Sequence, residues 1–177
     1  STPGLQGGFI WEFWDHGIEQ TMPDGTKRSA YGGDFGETPH DGNFVCDGMV
    51  FPDRTPKPAM YEFKAIAAPV EITATKASAG QFIIRNKQFF KDFSDFEGTW
   101  SITCNGEVID EGHLVLPNVA AGKSAKLTIK SKHLLKPTTS GERFINFSIS
   151  QKNRTDWAGA GHEVAWAQFT LPSKKIS

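Results

Sequence analysis

The chain has 177 residues, a formal net charge of −1 and two cysteines. That length fits one or two domains, and the 38% hydrophobic content suffices for a buried core, but a complete (β/α)8 barrel of about 250 residues is excluded. Near-neutral charge argues against a phosphate-backbone (nucleic-acid) binder, no apolar run approaches the ~18 residues of a membrane span, and Cys46 and Cys104 form neither a disulfide scaffold nor a metal-ligand spacing. With neither an initiator Met nor a signal-peptide pattern, the start reads as a cut.

In chain order, Gly7-Gly8-Phe9-Ile10-Trp11-Glu12-Phe13-Trp14 is a nearly continuous apolar run after glycines, which predicts a short strand buried on both faces. From about Gly17 to Pro58 the chain is rich in Gly, Pro and Asp and shows no sustained helical period, so a long loop is expected. Ala59, Phe63, Ile66 and Ala67 then share one helical face, with Pro56 and Pro58 near the start and Pro69 as the stop. Strand, long loop and helix make one repeat of a β/α fold without its partners.

After Pro69 the pattern changes. Residues 1–68 carry five basic and ten acidic side chains, net −5, whereas 69–177 carry 14 and 10, net +4. Ten of the 21 aromatic residues lie in the first part. In the second, Val70–Ala77, Gln81–Phe90, Thr99–Cys104, Glu107–Val115, Ala125–Lys130, Phe144–Gln151 and Glu163–Leu171 read as about seven short strands. Asn105-Gly106 suits a two-residue type I′ hairpin, and Ile145, Phe147 and Ile149 alternate with Asn146, Ser148 and Ser150. The fold class expected is mainly β, with 69–177 an immunoglobulin-like β-sandwich that lacks an intersheet disulfide because its only cysteine is Cys104.

Chemistry-bearing residues concentrate in the first part. Glu12, Asp15, Glu19, Asp34, Glu37, Asp41, Asp47 and Asp53 supply carboxylates beside tryptophans, a composition that invites a glycosidase pair, although turn formation or solvation accounts for any one of them. Trp11 is a candidate sugar platform, since an indole face packs on the C–H face of a pyranose; a core tryptophan is the equal alternative. Phe44-Val45-Cys46-Asp47-Gly48 sets a carboxylate three residues after a carbonyl, with Gly48 permitting a bend, a weak signal for a hard cation. The five histidines show no zinc-ligand pairing.

Three blocks carry a resemblance. Gly7 to Gly17, Ser29-Ala30-Tyr31-Gly32-Gly33-Asp34-Phe35-Gly36-Glu37-Thr38-Pro39, and Asp47-Gly48-Met49-Val50-Phe51-Pro52-Asp53-Arg54-Thr55-Pro56 closely resemble bacterial β-galactosidases of glycoside hydrolase family 2. The second part is similar to the next domain of that family through Asp156-Trp157-Ala158-Gly159-Ala160-Gly161-His162 and Ala165-Trp166. The resemblance implies that 1–68 is the last strand, long loop and helix of a (β/α)8 catalytic barrel, and that 69–177 is the immunoglobulin-like domain that follows it. It implies a parent enzyme that hydrolyses terminal β-galactosides with retention, and a fragment that is inactive alone because both catalytic glutamates belong to motifs upstream. No catalytic residue is therefore assigned, and Glu12 and Glu19 are not promoted to the role.

By the same resemblance, Trp11 lines the galactose pocket, Phe44 binds an active-site sodium through its carbonyl with its ring beside the sugar, and Asp47 stands where well-known members carry an asparagine sodium ligand. The magnesium ligands of the family lie outside this chain. The sandwich is expected to be a spacer or a subunit contact in a homo-oligomeric parent, in the bacterial cytoplasm or periplasm. Two alternatives stay open: another family 2 glycosidase, such as a β-glucuronidase or β-mannosidase, and a freestanding sandwich that binds carbohydrate or protein.

Overall fold

A computed structural model describes residues 4–134 and 141–173. The chain divides into two compact units, Ser1–Ile66 and Ala67–Ser177.

The first unit is mostly irregular. A hairpin of β1 (Ile18–Thr21) and β2 (Lys27–Ala30) pairs Ile18 with Ala30 and Thr21 with Lys27. Its turn is closed by Asp24, whose Oδ1 accepts from the Thr26 amide at 2.9 Å and the Thr26 hydroxyl at 2.7 Å. This hairpin lies inside the segment expected to be a loop. A single 3-10 turn, Gly42–Val45, follows. The helix α1 (Pro58–Ala67) forms where expected, with proline at its first position, where the missing N–H costs nothing, and Pro69 just beyond its end. None of its residues is buried.

The strand expected over Gly7–Trp14 is not present. Phe9 and Trp11 are 105% and 81% exposed, and among the described residues the segment's strand pairing is limited to a one-residue parallel bridge, Trp14 to Val50. A strand buried on both faces needs a ladder on each edge and a layer on each side. Among the described residues, backbone partners for this segment begin only at Glu12.

The second unit is the sandwich. One sheet is ordered β3-β4-β7, from β3 (Val70–Lys76), β4 (Gln81–Asn86) and β7 (Ser124–Thr128). The other is ordered β6-β5-β8-β9, from β5 (Phe96–Cys104), β6 (Glu107–Leu114), β8 (Arg143–Gln151) and β9 (Glu163–Thr170). All pairings are antiparallel. The alternation read in the sequence is the inside-outside pattern of β8, with Ile145, Phe147 and Ile149 buried and Asn146, Ser148 and Ser150 half-buried. Both sheets contribute to one apolar core, in which the Phe82 and Phe147 rings meet edge to face at 4.9 Å. Cys104 pairs with Glu107 across a two-residue turn with Asn105 and Gly106 at φ 50° and 86°, the left-handed values a type I′ turn requires. Among the described residues no helix is long and apolar enough to cross a membrane.

Candidate functional site

The residues with candidate chemistry lie in the first unit, where two stretches of backbone are laced together. The Met49 amide donates to the carbonyls of Glu12 at 3.1 Å and Phe13 at 3.0 Å, Val50 donates to Phe13 at 3.1 Å, and Asp15 donates back to Val50 at 3.1 Å. His16 closes the lacing by donating to the Val45 carbonyl at 3.0 Å.

One ion pair holds this lacing from inside. Asp15 is only 4% exposed, and its Oδ1 accepts from the Gly48 amide and from Lys57 Nζ, each at 2.7 Å. Lys57 Nζ also donates to the Cys46 carbonyl at 3.1 Å, and the Lys57 amide donates to the Met49 carbonyl at 3.0 Å. A buried carboxylate is tolerable here because a cation and a backbone N–H both meet it. Gly48 is needed for close approach rather than for a bend. A Cβ there would stand 2.5 Å from the Trp14 carbonyl carbon and would also strike the Asp15 amide nitrogen. Burial, and then the negative charge of Asp15, push the Cys46 thiol above its ordinary pKa.

The three residues singled out in the sequence sit around this core. Trp11 immediately precedes Glu12 and exposes its indole. Phe44 lies in the 3-10 turn and is 70% exposed, and Asp47, also exposed, stands between Cys46 and Gly48, the two residues held by the ion pair. The lacing therefore joins the backbone next to Trp11 to the backbone next to Asp47. Sequence reading did not single out the Asp15, Lys57 and Gly48 combination. Asp15 and Lys57 are 42 positions apart, and no local pattern links them.

Several other acids in this part shape turns. Asp34 accepts from the Tyr31 amide at 2.9 Å, and Asp53 accepts from Thr55 at 2.8 Å. Glu37 takes the Gly33 amide at 2.6 Å and the Phe35 amide at 3.1 Å, and the Gly33 bond above all holds its carboxyl below the usual glutamate value. Glu19 pairs with Lys27 across the hairpin at 2.8 Å, and Glu12 pairs with His16 at 3.0 Å. Among the described residues no three His, Cys, Asp or Glu side chains gather as a metal-binding group.

The second unit has a hollow of about 650 Å³ on its four-stranded sheet, bounded by Thr99, Ser101, Trp166 and the hydrogen-bonded pair Ser148 and Glu163 at 2.7 Å.

Comparison with known proteins covers both units. Residues 1–72 match the TIM barrel domain of the glycosyl hydrolases family 2, and residues 82–172 match domain 4 of beta-galactosidase. The chain belongs to glycosyl hydrolase family 2. Within that family it is 40% identical over 172 residues to a beta-galactosidase of Priestia megaterium (strain DSM 319 / IMG 1521), an alignment covering 97% of this chain and 16% of the relative. It is 37% identical over 175 residues to a beta-galactosidase of Arthrobacter sp. (strain B7), covering 96% and 17%. A third beta-galactosidase, from Klebsiella pneumoniae (strain 342), is 36% identical over 171 residues, covering 97% and 16%. The chain thus spans about one sixth of the length of these curated relatives. The barrel match explains why the sequence of 7–14 reads as a buried strand although the segment is exposed here: the run is part of a barrel domain.

Proposed function

We propose that this chain is the sugar-site end of the barrel and the adjoining sandwich of a retaining β-galactosidase. The observation that carries this reading is the match of both units, over 96–97% of the chain, to beta-galactosidases from three bacteria. In the whole enzyme the reaction is double displacement at a terminal β-galactoside, with a glutamate nucleophile forming a covalent galactosyl-enzyme and a second glutamate acting as acid and then base. Both glutamates lie outside this chain. Its own part is binding and orientation.

Trp11 offers the exposed indole face on which the apolar side of galactose rests. The Phe44 carbonyl and the Asp47 carboxylate are hard oxygen donors suited to sodium, and they stand three residues apart in the chain. Sodium bound there supplies a fixed positive charge that orients sugar hydroxyls. The aspartate adds a negative charge where an amide would be neutral, which favours cation retention.

Changing Trp11→Ala in the full-length protein tests this role. Covering about 80 Å² of indole is worth ~2 kcal/mol at ~25 cal/mol per Å², so kcat/KM for nitrophenyl β-galactoside is expected to fall roughly 30-fold. The parent should prefer that substrate to the β-glucuronide and β-mannoside analogues. Unchanged kcat/KM in the variant would remove Trp11 from the sugar site, and a preference for either analogue would reassign the enzyme.

A further inference from the structure

We propose that Asp15 and Lys57 are positioning residues for the Phe44–Asp47 segment, fixing the backbone on both sides of Asp47 so that its carboxylate and the Phe44 carbonyl are set for the cation before it arrives. The inference rests on the sodium reading of that segment given above.

The geometry is specific to residue 47. The residue before it, Cys46, gives its carbonyl to Lys57 Nζ at 3.1 Å. The residue after it, Gly48, gives its amide to Asp15 Oδ1 at 2.7 Å. Asp15 and Lys57 are joined to each other at 2.7 Å, so the two clamps form one unit. The exposed Asp47 is thus held by its neighbours' backbones, leaving its carboxylate outside the clamp. Further along the turn, the Val45 carbonyl is held by the His16 amide at 3.0 Å, one residue from Asp15.

The clamp is also anchored. Lys57 sits between two prolines at the start of α1, with its own amide bonded to Met49, so little freedom is left in its backbone. Its ammonium lies 5.1 Å from the centroid of the Phe51 ring, which helps to hold the side chain in place. The pair itself is side chain to side chain and only 19% and 4% exposed at Lys57 and Asp15, so solvent competes weakly for it. Groups that orient a metal's ligands without touching the metal commonly govern affinity, and their loss costs ~10–100-fold.

The test uses the full-length enzyme as wild type, Lys57→Met, and the doubly neutral Asp15→Asn/Lys57→Met, which removes the charges together and leaves an amide oxygen for Gly48. Two quantities are read: the sodium concentration giving half-maximal hydrolysis of nitrophenyl β-galactoside, and amide hydrogen exchange across residues 44–50 with and without sodium. In the wild type the Gly48 amide should be protected even without sodium. In both variants that protection should drop, the half-maximal sodium concentration should rise ~10–100-fold, and kcat at saturating sodium should return close to the wild-type value. Unchanged sodium dependence in variants that have lost protection of Gly48 would overturn the positioning role while leaving the sodium reading intact. A wild type indifferent to sodium in both readouts would overturn the sodium reading and the proposal with it. If Lys57→Met fails to fold, the double variant decides, and a wild-type Gly48 amide protected only when sodium is present would by itself contradict a turn set in advance.

Discussion

Replacing Gly48 by alanine is expected to cost the first unit about 3–5 kcal/mol, comparable with breaking a buried ion pair. The backbone of Gly48 does not lie in the left-handed region, so alanine is conformationally allowed and the damage is purely spatial. Its Cβ would meet the Trp14 carbonyl carbon at 2.5 Å and the Asp15 carboxylate at 2.9 Å. The first of these is backbone, which no rotamer change can move. To make room, the 45–50 stretch must separate from 12–16. The Gly48 to Asp15 bond and the paired carbonyls of Glu12 and Phe13 would then be lost together. Gly25→Ala is the control, because Gly25 has a φ of 84° but nothing within 4 Å of a Cβ, and should cost only about 1 kcal/mol through backbone strain. Amide exchange over Phe13–Asp15 and Met49–Val50 reads the difference. Equal effects at the two glycines would show that the close approach at Gly48 is not what holds the stretches together.

A comparable loss, about 3–4 kcal/mol, is expected in the sandwich for Arg143→Leu. Arg143 is 1% exposed at the start of β8, and its guanidinium donates to the Pro172 carbonyl at 2.7 Å and to the His133 carbonyl. It joins the turn after β7 to the chain leaving β9, while the Arg143 carbonyl accepts from the Leu171 amide at 2.8 Å. Removing a buried charge can be neutral when its partner charge is removed as well. Here the partners are backbone carbonyls that stay behind without donors, so leucine restores volume but not hydrogen bonding. Lysine keeps the charge but cannot reproduce the planar fork, and Arg143→Lys should lose about 2 kcal/mol. The free energy of opening measured by exchange of β8 amides reads both variants. A neutral Arg143→Leu would mean that the His133 and Pro172 carbonyls find other donors.

The sandwich was legible because its strands bury one face. Ile145, Phe147 and Ile149 in β8 recur every second residue with polar neighbours between, and burial follows that alternation; in β4 the buried Phe82 and Ile84 flank the exposed Ile83. The β1–β2 hairpin escaped notice because Ile-Glu-Gln-Thr and Lys-Arg-Ser-Ala are short, mostly exposed and without an apolar period. It is held by cross-strand pairs and the Asp24 turn. At Phe9–Trp14 the apolar run predicted a buried strand and the segment is exposed, because hydrophobicity alone does not say which chain segments would cover it. Trp11, Phe44 and Asp47 became candidates through blocks of sequence that resemble a family. The ion pair bonded to the backbone of Cys46 and Gly48 did not, since Asp15 and Lys57 meet only through folding, and a loop aspartate has the same local signature whether it caps a turn, as Asp34 does, or is buried against a lysine.

The proposed function has this chain contribute binding and orientation to a β-galactosidase whose two catalytic glutamates lie outside it. It is tested most directly by assaying nitrophenyl β-galactoside hydrolysis by the purified 177-residue chain beside the full-length protein at equal molar concentration. Turnover is expected from the full-length protein and none from the chain. Turnover by the chain that survives purification and disappears when one of its own carboxylates is replaced would contradict the claim.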